Sequence, residues 1–371
     1  VSQGSAYDGM PGVRLTAIAA APGAKVLTNG EPFRLTVVAQ YSDKTTLEVT
    51  SFAGYSSADP AVASVDRRGQ VRGRGEGETF ITASYRHQFA TVRVTLPRPP
   101  RGPFPELRST NEIDRLVYVN LKRLGIPPTR PCSDAVFLRR ACLSLTGVPP
   151  SADEAKAFLD SRAADKRERL IAELVQRDSF ADFQTLKWAD LLRIKAEFPS
   201  NLWPNAIPGY HRWIKDAVKQ GMPYDQFART LLTANGSDFR DPPANYFRAF
   251  LNRDPGRVVE ATALVFMGVR LECARCHAAP SSPLALPDLL GMAASFARVG
   301  YKKTSEWKEE IVFTDLKGVL RSPKDGSLVK PRMLDGTALE PRPELDTRAQ
   351  FAAWLCSPRN PWFARNIVNR I

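Results

Sequence analysis

The stretch "VRLECARCHAAP", residues 269–280, holds Cys273, Cys276 and His277 within five positions. Three chemistries fit two thiols and an imidazole at this spacing. In covalent haem attachment, Cys273 and Cys276 add across the two vinyl groups and His277 takes the proximal position on the iron. A disulfide or a pair of structural thiols is the second. Zinc is the third, but it usually wants four ligands, and here one pair stands beside scattered single candidates. A thioredoxin-like redox site expects a βαβ setting, whereas this segment reads as helical. With only three His and five Cys in 371 residues, composition alone does not account for the cluster.

Haem makes further demands on the chain. Arg270 and Arg275 stand where they would offset propionate charge; the plainer expectation is two exposed arginines. A sixth iron ligand would come from His211, in "PGYHRWIKD", or from Met292 on the next helix. Met222 and Met267 are further candidates, with Met267 poorly placed because it shares the helix leading into the motif. A methionine on a helix face is more often core filler. Five-coordinate or water-ligated iron fits the sequence equally.

The positioning elements read as helices. The apolar run "GRVVEATALVFMGVRLE" predicts a helix over 256–272 that carries the motif at its end. "STNE" at 109–112 fits a capping box, followed by an apolar face of Ile113, Leu116, Val117, Leu121 and Leu124 and a stop at Gly125. "SDAVFLRRACLSLTG" ends at Gly147, and "SADE" at 151–154 starts the next helix. Further helices are expected over 165–176, 179–195, 206–220, 223–234, 285–297, 347–356 and 361–370. Helix signals fade across the charged, proline-containing segment 298–345. In "KWADLLRIK", Lys187 or Arg193 is expected to pair with Asp190 on a helix surface, with Trp188 buried. The loop "NGSDFRDPPANYFRAF", 235–250, gathers Asp238, Arg240 and Asp241 and is a second, weaker site candidate.

Residues 12–96 read as all-β. "FRLTVVAQY", "FITASY" and "TVRVTL" are rich in β-branched and aromatic residues, and turn signals such as "TNGEP" and "GRGEGE" separate them. That spacing predicts a small sandwich. "LPRPPRGPFPEL", 96–107, is a semi-rigid proline-rich linker. The fold class expected is therefore multidomain. An N-terminal sandwich spans 1–96, a linker 97–108, a helical domain 109–345, and the start of a following helical domain 346–371.

The totals exclude some classes. The formal net charge is +13, but the basic residues are dispersed, so a solvated basic surface is expected rather than a nucleic-acid stripe. No apolar run reaches the ~18–20 residues of a membrane span. Cys132 and Cys142 would lie ten helical residues apart, roughly 15 Å, beyond the ~7 Å that a disulfide tolerates. Both read as small apolar residues, as does Cys356.

Two resemblances follow from quoted residues. "DPAVASVDRRGQVRGRGEGETFITASY" resembles the bacterial Ig-like group 2 domain at Val62, Ala63, Ser64, Val65, Gly69, Val71, Gly73, Gly77, Ile81 and Ala83. Residues 109–299 resemble the cytochrome-like domain of unknown function 1549, abundant in planctomycetes. The stretches carrying it are "IDRLVYVNLKRLGIPPT", "FLRRACLSLTGVPPSADEAKAFL", "KWADLLRIK", "PYDQFARTLLTANGS" and "GVRLECARCHAAP". The tail "SPRNPWFARNIVNRI" looks like the start of its companion domain, 1553. The resemblance implies an exported bacterial protein of the periplasm or cell surface. The family motif is commonly C-x-x-C-H-x-H-P; Cys273, Cys276, His277 and Pro280 match, and Ala279 replaces the second histidine. That departure weakens zinc more than haem. The expectation is a mono-haem c-type cytochrome-like protein with a redox partner or a cell-surface component. The alternative is a haem-free cell-surface protein in binding or scaffolding, related to polysaccharide, with the Cys pair as a disulfide or structural thiols.

Overall fold

The computed structural model describes residues 13–28, 31–86, 88–99, 102–106, 111–196, 206–276, 284–340 and 346–370. It divides into two compact units, one running to residue 131 and the other from residue 132.

The first unit opens with ten strands: β1 (Leu15–Ala21), β2 (Ala24–Val26), β3 (Phe33–Arg34), β4 (Thr36–Tyr41), β5 (Thr46–Glu48), β6 (Gly54–Ser57), β7 (Ala63–Val65), β8 (Gln70–Gly73), β9 (Gly77–Tyr85) and β10 (Gln88–Leu96). They form sheets ordered β1-β4-β5, β2-β10-β9-β6 and β3-β8-β7. All pairs are antiparallel except β2 with β10. Alternation puts Ile81 and Ala83 of β9 and Val92 and Val94 of β10 inward, where they close two apolar clusters with Leu35, Val71, Val37 and Val49. The sandwich expected over 12–96 is thus present.

Helix α1 (Glu112–Leu124) belongs to this unit by its contacts. Arg123 pairs with Glu78 and donates to Thr95 Oγ1 at 2.6 Å, and the Arg98 N–H donates to the Leu124 carbonyl. The packing boundary therefore falls after α1, not at the proline-rich linker. The N-cap is Asn111, whose side chain accepts from the Asp114 N–H; Ser109 lies outside the described residues. Gly125 ends the helix with φ 66°. The apolar face is only partly used. Leu121 and Leu124 are half-buried, but Ile113, Leu116 and Val117 stay exposed, because α1 is held at its C-terminal end.

The second unit is mostly helical. Helices α2 (Asp134–Thr146), α3 (Ala152–Asp160) and α4 (Lys166–Leu174) enclose a small cluster of Leu138, Cys142, Phe158, Leu170 and Leu174. Ser151 and Glu154 form the expected reciprocal cap of α3. Helices α5 (Asp178–Leu191), α6 (Ala206–Lys219), α7 (Tyr224–Leu232), α8 (Asn245–Arg248), α9 (Pro255–Thr262), α10 (Leu286–Ala293), α11 (Thr347–Leu355) and α12 (Phe363–Arg370) follow. Tyr210, Ile214, Phe227, Phe247, Phe266, Met292, Phe351 and Phe363 share the main core. Phe351 of α11 and Phe363 of α12 come from the tail read as the start of a following domain, and they too lie in this core. Strands β11 (Gly236–Ser237), β12 (Val299–Lys303) and β13 (Glu310–Thr314) form a sheet ordered β11-β13-β12. The segment without helix signals thus holds a hairpin.

Candidate functional site

The helix entering the motif is shorter than its apolar run. Helix α9 starts at Pro255 under the Asp254 cap, widens over Ala263–Met267, and ends at Gly268 with φ 69°. Tail residues take up its last carbonyls. Asn366 Nδ2 donates to Val265 O at 2.7 Å, and Arg370 Nη2 donates to Leu264 O at 2.7 Å. A Cβ at position 268 would stand 2.8 Å from Asn366 Oδ1, so glycine is needed there for both backbone and space. The motif therefore follows a sharp turn and does not extend the helix over 256–272.

Cys273 lies on a tight helical turn, Glu272–Arg275, and Cys276 caps its end, its N–H donating to Cys273 O at 3.2 Å. At three residues per turn, positions i and i+3 share a side. Leu271 and Ala274 face the core, at 0% and 1% exposure. Cys273 and Cys276 form the outer pair, the first half-exposed and the second exposed. All five cysteines are free thiols. The burial of Cys142 raises its thiol pKa, and burial pushes Cys356 to about 11.

Arg275 clamps this turn to α9. Its Nη2 donates to Asp254 Oδ2 at 2.8 Å and its Nε to Glu260 Oε1. Glu260 is buried and also meets Arg257 Nη1 at 3.2 Å. A Cβ at Gly256 would come 2.6 Å from Arg275 Nη2, so only glycine leaves the guanidinium its seat. Burial opposes the charge on Arg275, yet the bonds to Glu260 and Asp254 raise its pKa. Arg275 is thus neither exposed nor free for a propionate. Arg270 is exposed, as the plainer expectation had it.

The other proposed ligands are dispersed. Met292 is fully buried in the main core, and Met267 is buried there too. Met222 packs against the same core, half-buried. His211 sits on α6 with its side chain half-exposed. His277, Ala279 and Pro280 lie outside the described residues. Among the described residues, no three His, Cys, Asp or Glu side chains converge as metal ligands.

The second candidate, 235–250, is a structural knot. The Asp238 side chain is wholly buried, accepts the Glu310 N–H at 2.8 Å and lies 2.7 Å from Arg248 Nη1. Burial raises its pKa against the pull of that N–H and of Arg248. Glu310 also meets Arg248 and Arg253, at 3.2 and 2.5 Å. Asp241 accepts the Ser237 N–H at 2.9 Å, and Arg240 points outward, 3.7 Å from Glu309. Buried charges persist when paired in this way. In "KWADLLRIK", Lys187 lies over the Phe183 ring and Arg193 over Phe250, at 4.6 and 5.4 Å, rather than against Asp190. Trp188 is half-buried beside Phe227, with ring centroids 5.0 Å apart.

The sequence reading missed the Asp254–Glu260–Arg275 clamp. Its signal was a lone acid, Glu260, inside an otherwise apolar run, which implies a buried cation partner.

A family model described as "Protein of unknown function (DUF1549)", PSCyt2, matches residues 112–301, half of the chain. The chain belongs to this family. Two curated proteins share shorter stretches. An S-layer-related protein of Niallia circulans is 42% identical over 74 residues, 20% of this chain and 4% of that protein. Ice-binding protein 1 of Shewanella frigidimarina is 32% identical over 82 residues, 22% of this chain and 9% of that protein. The chain thus covers less than a tenth of either relative. Among the described residues, no helix is long and apolar enough to cross a membrane.

Proposed function

We propose that this member of the family is an exported, mono-haem c-type cytochrome-like protein acting in electron transfer or haem-dependent redox chemistry. One observation carries the reading: Ala274 is buried and Arg275 is clamped, so Cys273 and Cys276 face outward together on one turn. The donor set fits. Each thiol adds its sulfur and its hydrogen across one vinyl group, so attachment needs no leaving group. His277, next in sequence, would hold the iron. Bound haem would supply a one-electron couple. The chain's own part is to present the thiols on a braced surface turn and to close the core behind them with Leu271 and Ala274. Of His211 and Met292, His211 has the more reachable side chain.

The short matches to an S-layer-related and an ice-binding protein favour a second reading, a haem-free binding or scaffold protein of the cell surface whose N-terminal sandwich is an Ig-like module. One experiment separates the two. Express the chain in a periplasm supplied with haem-maturation machinery, and record the visible spectrum and intact mass. The haem reading requires a Soret band and a haem-sized mass increase that survives denaturation. It also requires that Cys273→Ser, Cys276→Ser lose both. Bare protein mass under those conditions overturns it and leaves the surface-protein reading.

A further inference from the structure

The second unit carries an open groove of about 500 Å³ along α10, within the size range of small-molecule sites. Leu286, Pro287 and Leu290 of α10 form one wall, and Val329 and Pro331 form the other. The second wall is built from two tight Asp-Gly turns. Gly326 and Gly336 take φ 71° and 87°, and bridges join Arg321 to Leu328 and Arg332 to Ala338. This wall is pinned to the helix where the Arg332 N–H donates to Gly291 O at 3.0 Å. A Cβ at Gly291 would press on Arg332 O at 3.0 Å, so the close approach depends on glycine.

The lining is apolar inside and cationic at its edge. Lys324, Lys330 and Arg332 contribute to it, and no acidic residue does. Arg332 is held by Asp288 at 3.1 Å. Lys324 and Lys330 are exposed, and among the described residues neither forms an ion pair. Leu286 and Leu290 line the groove and also pack against the main core, which holds Leu289, Met292 and Ala293 of the same helix. Those three lie in the core with Leu271 and Ala274 of the cysteine turn. None of the groove's lining residues belongs to the cysteine turn, so the site is distinct from the thiols and uses no haem.

We propose that this groove binds a single-chain amphiphile with a carboxylate head, the chain between α10 and Val329–Pro331 and the head beside Lys324 and Lys330. Charge complementarity selects the anion, and the apolar walls select a chain over a bare carboxylate. The test is calorimetric titration of the full chain, expressed without haem maturation. The probes are dodecanoate, dodecyltrimethylammonium and butyrate, each below its micellar concentration. Dodecanoate should saturate one site and bind about tenfold or more tightly than either of the others. Lys324→Glu, Lys330→Glu should lower dodecanoate affinity by a similar factor, and Leu290→Ser should weaken it with the circular dichroism unchanged. Equal binding of the cationic amphiphile, non-saturating uptake, or affinity untouched by the exposed lysine pair would overturn the assignment.

Discussion

Replacing Arg275 with Met removes the cation from Asp254 and Glu260 but keeps most of the aliphatic stem. Glu260 is then left buried at 9% exposure with Arg257 as its remaining cation, 3.2 Å away. Breaking a buried pair from one side costs roughly 3–5 kcal/mol. Arg275 keeps 30% of its side chain exposed and Asp254 keeps 37%, and with Arg257 still in place the expected cost falls to about 2–3 kcal/mol. For a unit of this size each kcal/mol moves the melting temperature by roughly 2–4 °C, so the shift should be about 4–12 °C downward. Thermal unfolding followed by circular dichroism reads it, and alkylation of Cys273 should quicken as the turn loosens. A second arm uses Glu260→Met alone and with Arg275→Met. The double variant should lose less than the two single losses combined, with a coupling of about 1–3 kcal/mol. Additive losses, or an Arg275→Met shift under about 1 °C, would refute the clamp as the brace of the thiols.

Other outcomes follow from the same geometry. Met292→Ala should cost roughly 2–5 kcal/mol as a core cavity, whereas Met292→Leu should leave stability and any visible spectrum unchanged; a spectral change with Leu would make Met292 an iron ligand. Gly268→Ala should destabilise by more than about 1 kcal/mol, read in urea melts, because it strains a left-handed residue and crowds Asn366. Burial works to raise the Asp346 pKa, but the hydrogen bonds and charge of buried Arg348 hold it below the usual carboxylate range. Its stabilisation is complete above the unfolded carboxylate pKa and is lost as pH falls through the lower folded value. Asp346→Asn should therefore lower stability at neutral pH and flatten the acid limb of a stability–pH curve.

Much of the architecture was legible because local chemistry specified it. Ser151 with Glu154, and the glycines at 125 and 147, end or begin helices through their own hydrogen bonds and backbone freedom. Alternation along β9 and β10 identified the inward residues of the sandwich for the same local reason. The misreadings have a tertiary origin. The run 256–272 is apolar throughout, so periodicity extended the helix past Gly268; side chains from α12, a hundred residues on, take its last carbonyls instead. The apolar face of α1 reads as a buried stripe, yet its first half is left outside, because a pattern states what can be buried and not what covers it.

At the motif the division is sharpest. The sequence by itself determined which chemistry was on offer: two thiols three positions apart, an imidazole after them, and too few other ligands for a closed zinc site. Only the tertiary structure decided where those groups point. Arg275 looked like a charge for a ligand, but Asp254 and Glu260 claim it, because a guanidinium beside a buried carboxylate is held most strongly where water is excluded. With Arg275 drawn back and Ala274 buried, the turn leaves the two thiols on its outer side.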